Sequence, residues 1–287
     1  IGAIEMITKG CTACYDLMVE MPAPTADGLE AAGKAYRDVG MRAVIAPMVA
    51  DKTFYEAIPG LMEALTPSLR KEVEKQRFAP CKASLKNIHE ALRSCSLDSE
   101  FTRAAIAPTI PLHCSDEFMR GCAKIAHEFD IGVHSHVAES KIQAISGLKL
   151  YGKSLTAHLE DIGLLGPKFT VAHGVWLDDD DFRRLSGNGA SVAHNPGSNM
   201  RLGSGLADAR GMLNYRVNLG IGTDGAHCSD NQNMYEAMRI TSMVSRVQGT
   251  DQSQWLSTEE IFTAATEGSA RALGWDNIGR IESGYKA

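Results

Sequence analysis

Four short apolar runs in this 287-residue chain each lead into a group that can hold a metal or move a proton. They are Gly132-Val-His-Ser-His136-Val-Ala-Glu139-Ser, Thr170-Val-Ala-His173-Gly-Val, Ser191-Val-Ala-His194-Asn195-Pro-Gly-Ser198-Asn199, and Gly220-Ile-Gly-Thr-Asp224-Gly-Ala. An ionisable side chain at the end of an apolar strand is costly to bury unless it is paired or metal-bound. One such histidine reads most simply as a satisfied core residue, but four such ends are hard to explain that way. Imidazole nitrogens with a carboxylate suit one divalent metal ion, zinc above all, with iron or manganese also compatible. A cation with an open position would bring the pKa of a bound water down towards about 7. His134 and His136 are two apart and face the same way on a strand, so facing does not choose between them.

Something must bring these ends together. β-rich apolar runs alternate with helical patterns throughout, the sign of a parallel sheet wrapped by helices. The expected strands are Ala13–Val19, Arg42–Val49, Ala104–Pro108, Gly132–Val137, Phe169–His173, Ala190–His194 and Val217–Thr223. The expected helices are Asp27–Val39, Ser115–Phe129, Lys153–Ile162, Asp178–Leu185 and Asn231–Val247. Ser115 reads as an N-cap, and Ser257-Thr-Glu-Glu260 as a capping box opening a last helix to about Leu273. Lys71–Ser99 reads as helical elaboration between two strands. No Gly-rich phosphate loop follows the first strand, which argues against an open doubly wound sheet. The α/β alternative is a TIM-like (β/α)8 barrel, whose C-terminal strand ends converge on one mouth. About seven of its eight βα units are visible, in one incomplete domain spanning residues 1–287.

The composition excludes some partners. With 29 Lys and Arg against 35 Asp and Glu, the net charge of -6 argues against nucleic acid or an anionic membrane as the main partner. No apolar run approaches the roughly 18–20 residues that span a bilayer, and Ile1–Met6 lacks the pattern of a signal peptide. Seven scattered cysteines fit reduced thiols in a cytoplasmic protein better than a disulfide framework. Cys11 and Cys14 have metal or redox spacing, but no second pair exists. They read as small buried residues of the opening strand.

The motifs, in their order, resemble those of the amidohydrolase superfamily, in its aminohydrolase branch of cytosine, guanine and S-adenosylhomocysteine deaminases and triazine hydrolases. His134-Ser-His136-Val-Ala-Glu139-Ser looks like that family's strand-five signature. The run Val192-Ala-His194-Asn195-Pro-Gly-Ser198-Asn199-Met-Arg-Leu202-Gly-Ser-Gly205 is similar to its strand-seven motif. Gly222-Thr-Asp224-Gly is similar to strand eight, and Gly279-Arg-Ile-Glu-Ser-Gly284-Tyr-Lys-Ala287 to the segment just beyond the barrel. The resemblance implies that His136 and Asp224 bind the metal, and that His173 lies beside its water as a hydrogen-bond partner or as a ligand. It implies that Glu139 is the proton shuttle, protonating a ring nitrogen, while Asp224 takes a proton from the attacking water. The implied activity is hydrolytic deamination of a purine-, pterin-, pyrimidine- or triazine-like heterocycle. An amide or carbon–halogen hydrolase on the same scaffold is the alternative, and a non-catalytic ligand-binding remnant is a third.

Two departures stand out. The family's first-strand His-x-His pair has no counterpart before His134, and the chain stops where a small β-domain would continue. Truncation at both ends is the simplest reading, and it leaves the fragment's own activity in question. The expected fourth family strand, Ala104–Pro108, carries no lysine, which favours a single metal over a bridged pair. Around the mouth, His113, Trp176, His194, Asn195 and His227 are candidate substrate contacts, Trp176 by stacking on a flat ring. His89, His127 and His158 lie in helical patterns and read as structural. The expected partner is a small heterocyclic substrate, and the sequence leaves room for a homo-oligomer.

Overall fold

The structure is a computed structural model that describes residues 1–77 and 79–286. Phe78, within the expected helical stretch Lys71–Ser99, and Ala287, the last residue of the post-barrel motif, lie outside the described residues. The chain divides into two compact units: Tyr15–Val137 with Ile142–Leu164, and Ile1–Cys14 with Ala138–Lys141 and Leu165–Ala287.

In the first unit, strands β1 (Ala13–Met18), β2 (Arg42–Val49), β3 (Thr102–Pro108) and β4 (Gly132–Val137) lie in chain order. β2 and β3 pair in parallel with Ala43 opposite Thr102 and Val49 opposite Pro108. β3 and β4 also pair in parallel, with Ala105 opposite Gly132. Parallel neighbours need a crossover. The helices Ala26–Asp38, Cys81–Ser94 and Asp116–Glu128 provide one in each gap. After Arg42, β2 reads as an unbroken apolar run because parallel strands are covered on both faces, and Ala43, Val44, Ile45 and Ala46 are all buried. Ser115 caps its helix as expected, its hydroxyl oxygen accepting from the Phe118 amide at 3.1 Å. The Ser115 hydroxyl and amide in turn donate to the Asp51 carboxylate beyond β2. His158 is structural, stacked on Tyr151 at 3.6 Å and 2.9 Å from Asp116. His89 pairs with Glu128.

In the second unit, β5 (Phe169–His173), β6 (Ser191–His194) and β7 (Asn218–Ile221) again follow chain order. Both pairings are parallel, with Val171 opposite Val192 and His194 opposite Ile221. Phe169, Val171, Phe182, Leu185, Val192 and Met212 form the buried packing around these strands. Asp178 caps the helix Asp179–Gly187 by accepting from the amides of Asp180 and Asp181.

All seven expected strands are present, with small changes at their ends. The expected strand Val217–Thr223 shortens to β7, Asn218–Ile221, whose last pair with β6 closes through the Gly222 amide donating to the His194 carbonyl at 2.9 Å. Helices at Lys141–Tyr151, Pro196–Arg201 and Ala209–Asn214 were not in the sequence reading. The expected single helix from Ser257 to about Leu273 is interrupted by a π turn over Ala264–Gly268. That turn lets Gly268 come against β7, where an added Cβ would sit 1.9 Å from the Leu219 carbonyl oxygen. The helix expected from Asn231 begins at Met234, capped by Asn233. No helix among the described residues is long and apolar enough to cross a membrane.

Candidate active site

The second unit gathers three of the expected residues. His173 is the last residue of β5, and Asp224 follows β7 by three residues. Glu139 belongs to the short Ala138–Lys141 segment of this unit. His173 Nε2 is 3.9 Å from Glu139 Oε1 and 3.9 Å from Asp224 Oδ2. Those distances exceed a hydrogen bond, but one atom about 2 Å from each partner would bridge either gap.

The backbone is strained to present these groups. Ala138, His173 and Asp224 have φ of 51°, 71° and 58°, a region that residues with a Cβ rarely enter. His173 sits at the centre of a three-residue turn closed by Gly174 N to the Ala172 carbonyl at 3.1 Å, the strained form of the γ-turn. Strain of this kind collects where a side chain must be aimed. The Asp224 carboxylate is held in turn, its Oδ1 accepting from the Gly225 amide at 2.7 Å.

Around this trio the second unit is buried and polar. His173 Nδ1 lies 2.8 Å from Asn199 Oδ1. His194, 1% exposed, has no hydrogen-bond partner for either ring nitrogen among the described residues, and Ser198 Oγ and Asn199 Nδ2 have none either. Burial, with His173 adding to it, pushes the His194 imidazole down to about 4, so it is neutral at pH 7. Asn195 is buried at the start of its helix, and its Oδ1 approaches within 2.2 Å of where a Cβ on Gly222 would lie. Only a glycine at 222 lets the two segments come this close. Trp176 is 40% exposed yet fixed. Its indole donates to the Ser204 carbonyl at 2.7 Å, its amide donates to the Ala138 carbonyl, and Lys141 Nζ lies 5.5 Å from the ring centroid. His227 is exposed, and nearby Asp230 pairs with Arg201 at 2.7 Å. The Cys228 thiol is pushed up by burial and by the charges of Asp224 and Glu139.

His136 and His113 belong to the first unit. His136 Nδ1 is 2.7 Å from the Thr109 carbonyl oxygen, which only accepts, so Nδ1 carries a proton. His134 is buried, with its ring tilted against Tyr15 at 4.6 Å. His113 sits edge-on to Phe54 at 5.3 Å. Burial, with His136 and Lys52 adding to it, pushes His113 down to about 4.

The donor chemistry of His173 and Asp224 suits a divalent cation, and their spacing admits one. No group of three or more His, Cys, Asp and Glu among the described residues is arranged to hold a metal ion, so the fit extends to a pair. A separate cavity of about 570 Å³ lies beside Asn218, at the opposite end of β7 from Asp224, and is lined by Arg210, Arg216, Arg271, Glu259 and Glu260. It contains none of the residues of the trio.

Asn199, Ala138, Gly222 and Cys228 were not assigned roles from the sequence. Asn199 and Gly222 left a signal there, each standing in a quoted motif read for its histidine or aspartate.

His173 at the end of β5 and Asp224 just after β7 lie at the C-terminal ends of parallel strands, where α/β folds of this kind place their active sites. The amidohydrolase family profile matches residues 1–287, and the chain belongs to that family. It is 33% identical over 287 residues to a 5-methylthioadenosine/S-adenosylhomocysteine deaminase of Thermococcus kodakarensis, a match covering all of this chain and 60% of that protein. An adenosine deaminase of Xanthomonas campestris with bound zinc superposes with a TM-score of 0.78 at 26% identity, over 100% of this chain and 58% of that one. The atrazine chlorohydrolase of Arthrobacter aurescens TC1, complexed with zinc, gives a TM-score of 0.83 at 23% identity, over 100% and 62%. That likeness shows the shared fold. The chain thus spans about 60% of the length of the curated relatives it matches.

Proposed function

We propose that this chain carries the catalytic part of a metal-dependent aminohydrolase that deaminates an adenosine-type purine or a similar aminated heterocycle. The observation that carries the proposal is His173 Nε2 placed 3.9 Å from both the Glu139 and Asp224 carboxylates. His173 and Asp224 would hold the cation. His136 is proposed as a further donor on the strength of the sequence motif alone. A bound divalent ion would supply Lewis acidity, bringing the pKa of a water down towards about 7.

Hydrolytic deamination forms a bond from the water oxygen to the ring carbon and breaks the bond from that carbon to the amino nitrogen. Asp224 takes a proton from the attacking water. Glu139 gives a proton to the adjacent ring nitrogen, and proton transfer to the amino group lets it leave as ammonia. His173, with Nδ1 set against Asn199 Oδ1, would offer its Nε2 lone pair to the cation. His194, neutral at pH 7, and Asn195 offer uncharged polar contacts to a heterocycle, and Trp176 offers a fixed aromatic surface. The relative's named substrates, 5-methylthioadenosine and S-adenosylhomocysteine, are the first compounds to test.

Ammonia release would be assayed with zinc across adenosine, 5-methylthioadenosine, S-adenosylhomocysteine, guanine and an aminated triazine. Stoichiometric ammonia and the matching oxo product from at least one of these supports the reading. Zinc-loaded protein that releases no ammonia from any of them contradicts it.

A further inference from the structure

We propose that Asn199 is a positioning residue that fixes the His173 ring as its Nδ1–H tautomer and so turns the Nε2 lone pair toward Glu139 and Asp224. The inference rests on the reading of His173 as a cation or water partner. Asn199 is 1% exposed and held at both ends of its own peptide. Its amide donates to the Asn195 carbonyl at 3.0 Å, and its carbonyl accepts from Ser204 N at 2.8 Å. Its side-chain oxygen is therefore delivered to His173 Nδ1, 2.8 Å away, by a rigid frame. An amide oxygen only accepts, so the proton between the two atoms belongs to Nδ1.

The opposite amide orientation would set Nδ2 against Nδ1 and move the ring proton to Nε2. A ring N–H aimed at a carboxylate closes to about 2.7–2.9 Å. At 3.9 Å neither Glu139 nor Asp224 takes such a hydrogen bond. His136 follows the same rule in the other unit, its Nδ1 set against the Thr109 carbonyl. His136 and His173 thus each have Nδ1 against an oxygen that can only accept. His194, left outside the proposed ligand set, has neither ring nitrogen partnered among the described residues. The Asn199 Nδ2 atom is likewise without a partner among them. A leucine would avoid that cost but could not orient the ring.

The test compares Asn199→Asp with Asn199→Leu. Aspartate keeps an acceptor for Nδ1–H but cannot donate to an Nδ1 lone pair, and leucine does neither. Zinc affinity is read by competition with a chromophoric chelator, and the His173 tautomer by ring nitrogen shifts. Leucine is expected to weaken zinc binding by about 10–100-fold, while aspartate stays within a few-fold of the parent. His173 in the parent and in the aspartate variant should show Nδ1–H. An Nε2–H tautomer in the parent overturns the proposal, as does a folded aspartate variant that loses as much zinc affinity as leucine. If the leucine variant fails to fold, the parent ring shifts and the aspartate variant still decide. The ring shifts need neither metal nor substrate, so they test Asn199 even if the proposed deaminase reading fails.

Discussion

At the residue scale, the proposed chemistry depends on one imidazole 3.9 Å from each of two carboxylates. The Asp224 Oδ1 is tied to the next backbone amide, and Glu139 follows Ala138, whose carbonyl accepts from the Trp176 amide. Glu139→Gln is expected to lower turnover by about 10²–10⁴-fold while zinc content, read by elemental analysis, stays unchanged. Full activity in the variant would remove Glu139 from its role, and loss of zinc would make it a ligand. His173, Asp224 and Glu139 drew attention because four polar groups closing apolar runs in one chain are hard to explain as core residues. The strain that aims them did not, since a positive φ at Ala138, His173 or Asp224 leaves no mark in residue type. Asn199 escaped notice because its role is carried out through a neighbour.

At the element scale, the seven strands were readable because buried parallel strands are nearly continuous apolar runs. The helix Lys141–Tyr151 was not. Its Ile142, Ile145, Leu148 and Leu150 are exposed, while Gln143, Ser146 and Gly147 are buried, the reverse of the pattern that marks a helix. The break in the last helix was hidden for another reason, because it is set by contact with β7 rather than by its own sequence. Gly268→Ala is expected to destabilise the protein by about 1–3 kcal/mol, because the Leu219 carbonyl is backbone and cannot step aside. Gly187→Ala is the matched control at the end of an exposed helix. Nothing lies within 4 Å of its added Cβ, and it should stabilise by about 0.4–1 kcal/mol. Chemical denaturation of both variants checks the pair, and equal effects would contradict this account of the π turn.

At the scale of the whole molecule, acid sensitivity has a named contributor. The bidentate Arg210 guanidinium, at 2.7 and 2.8 Å, holds Glu260 down to about 2 from its usual 4.5. A carboxyl lowered on folding contributes stability above its unfolded value and loses it as pH falls towards its folded value. The Arg210–Glu260 contribution is therefore present above about pH 4.5 and fades towards pH 2. Glu260→Gln should flatten the fall in melting temperature across that window, and an unchanged slope would contradict the assignment. The family was legible from four motifs in order, three of which fall at the ends of β4, β6 and β7. The substrate was not, since the proposed contacts Trp176 and His227 are residue types that fit many rings. The central claim is that His173 and Asp224 share one cation. Anomalous diffraction at the zinc edge from zinc-loaded crystals tests it most directly. The account predicts a single strong peak about 2.0–2.2 Å from His173 Nε2 and from Asp224 Oδ2. A peak bonded elsewhere, or none at full zinc loading, would contradict it.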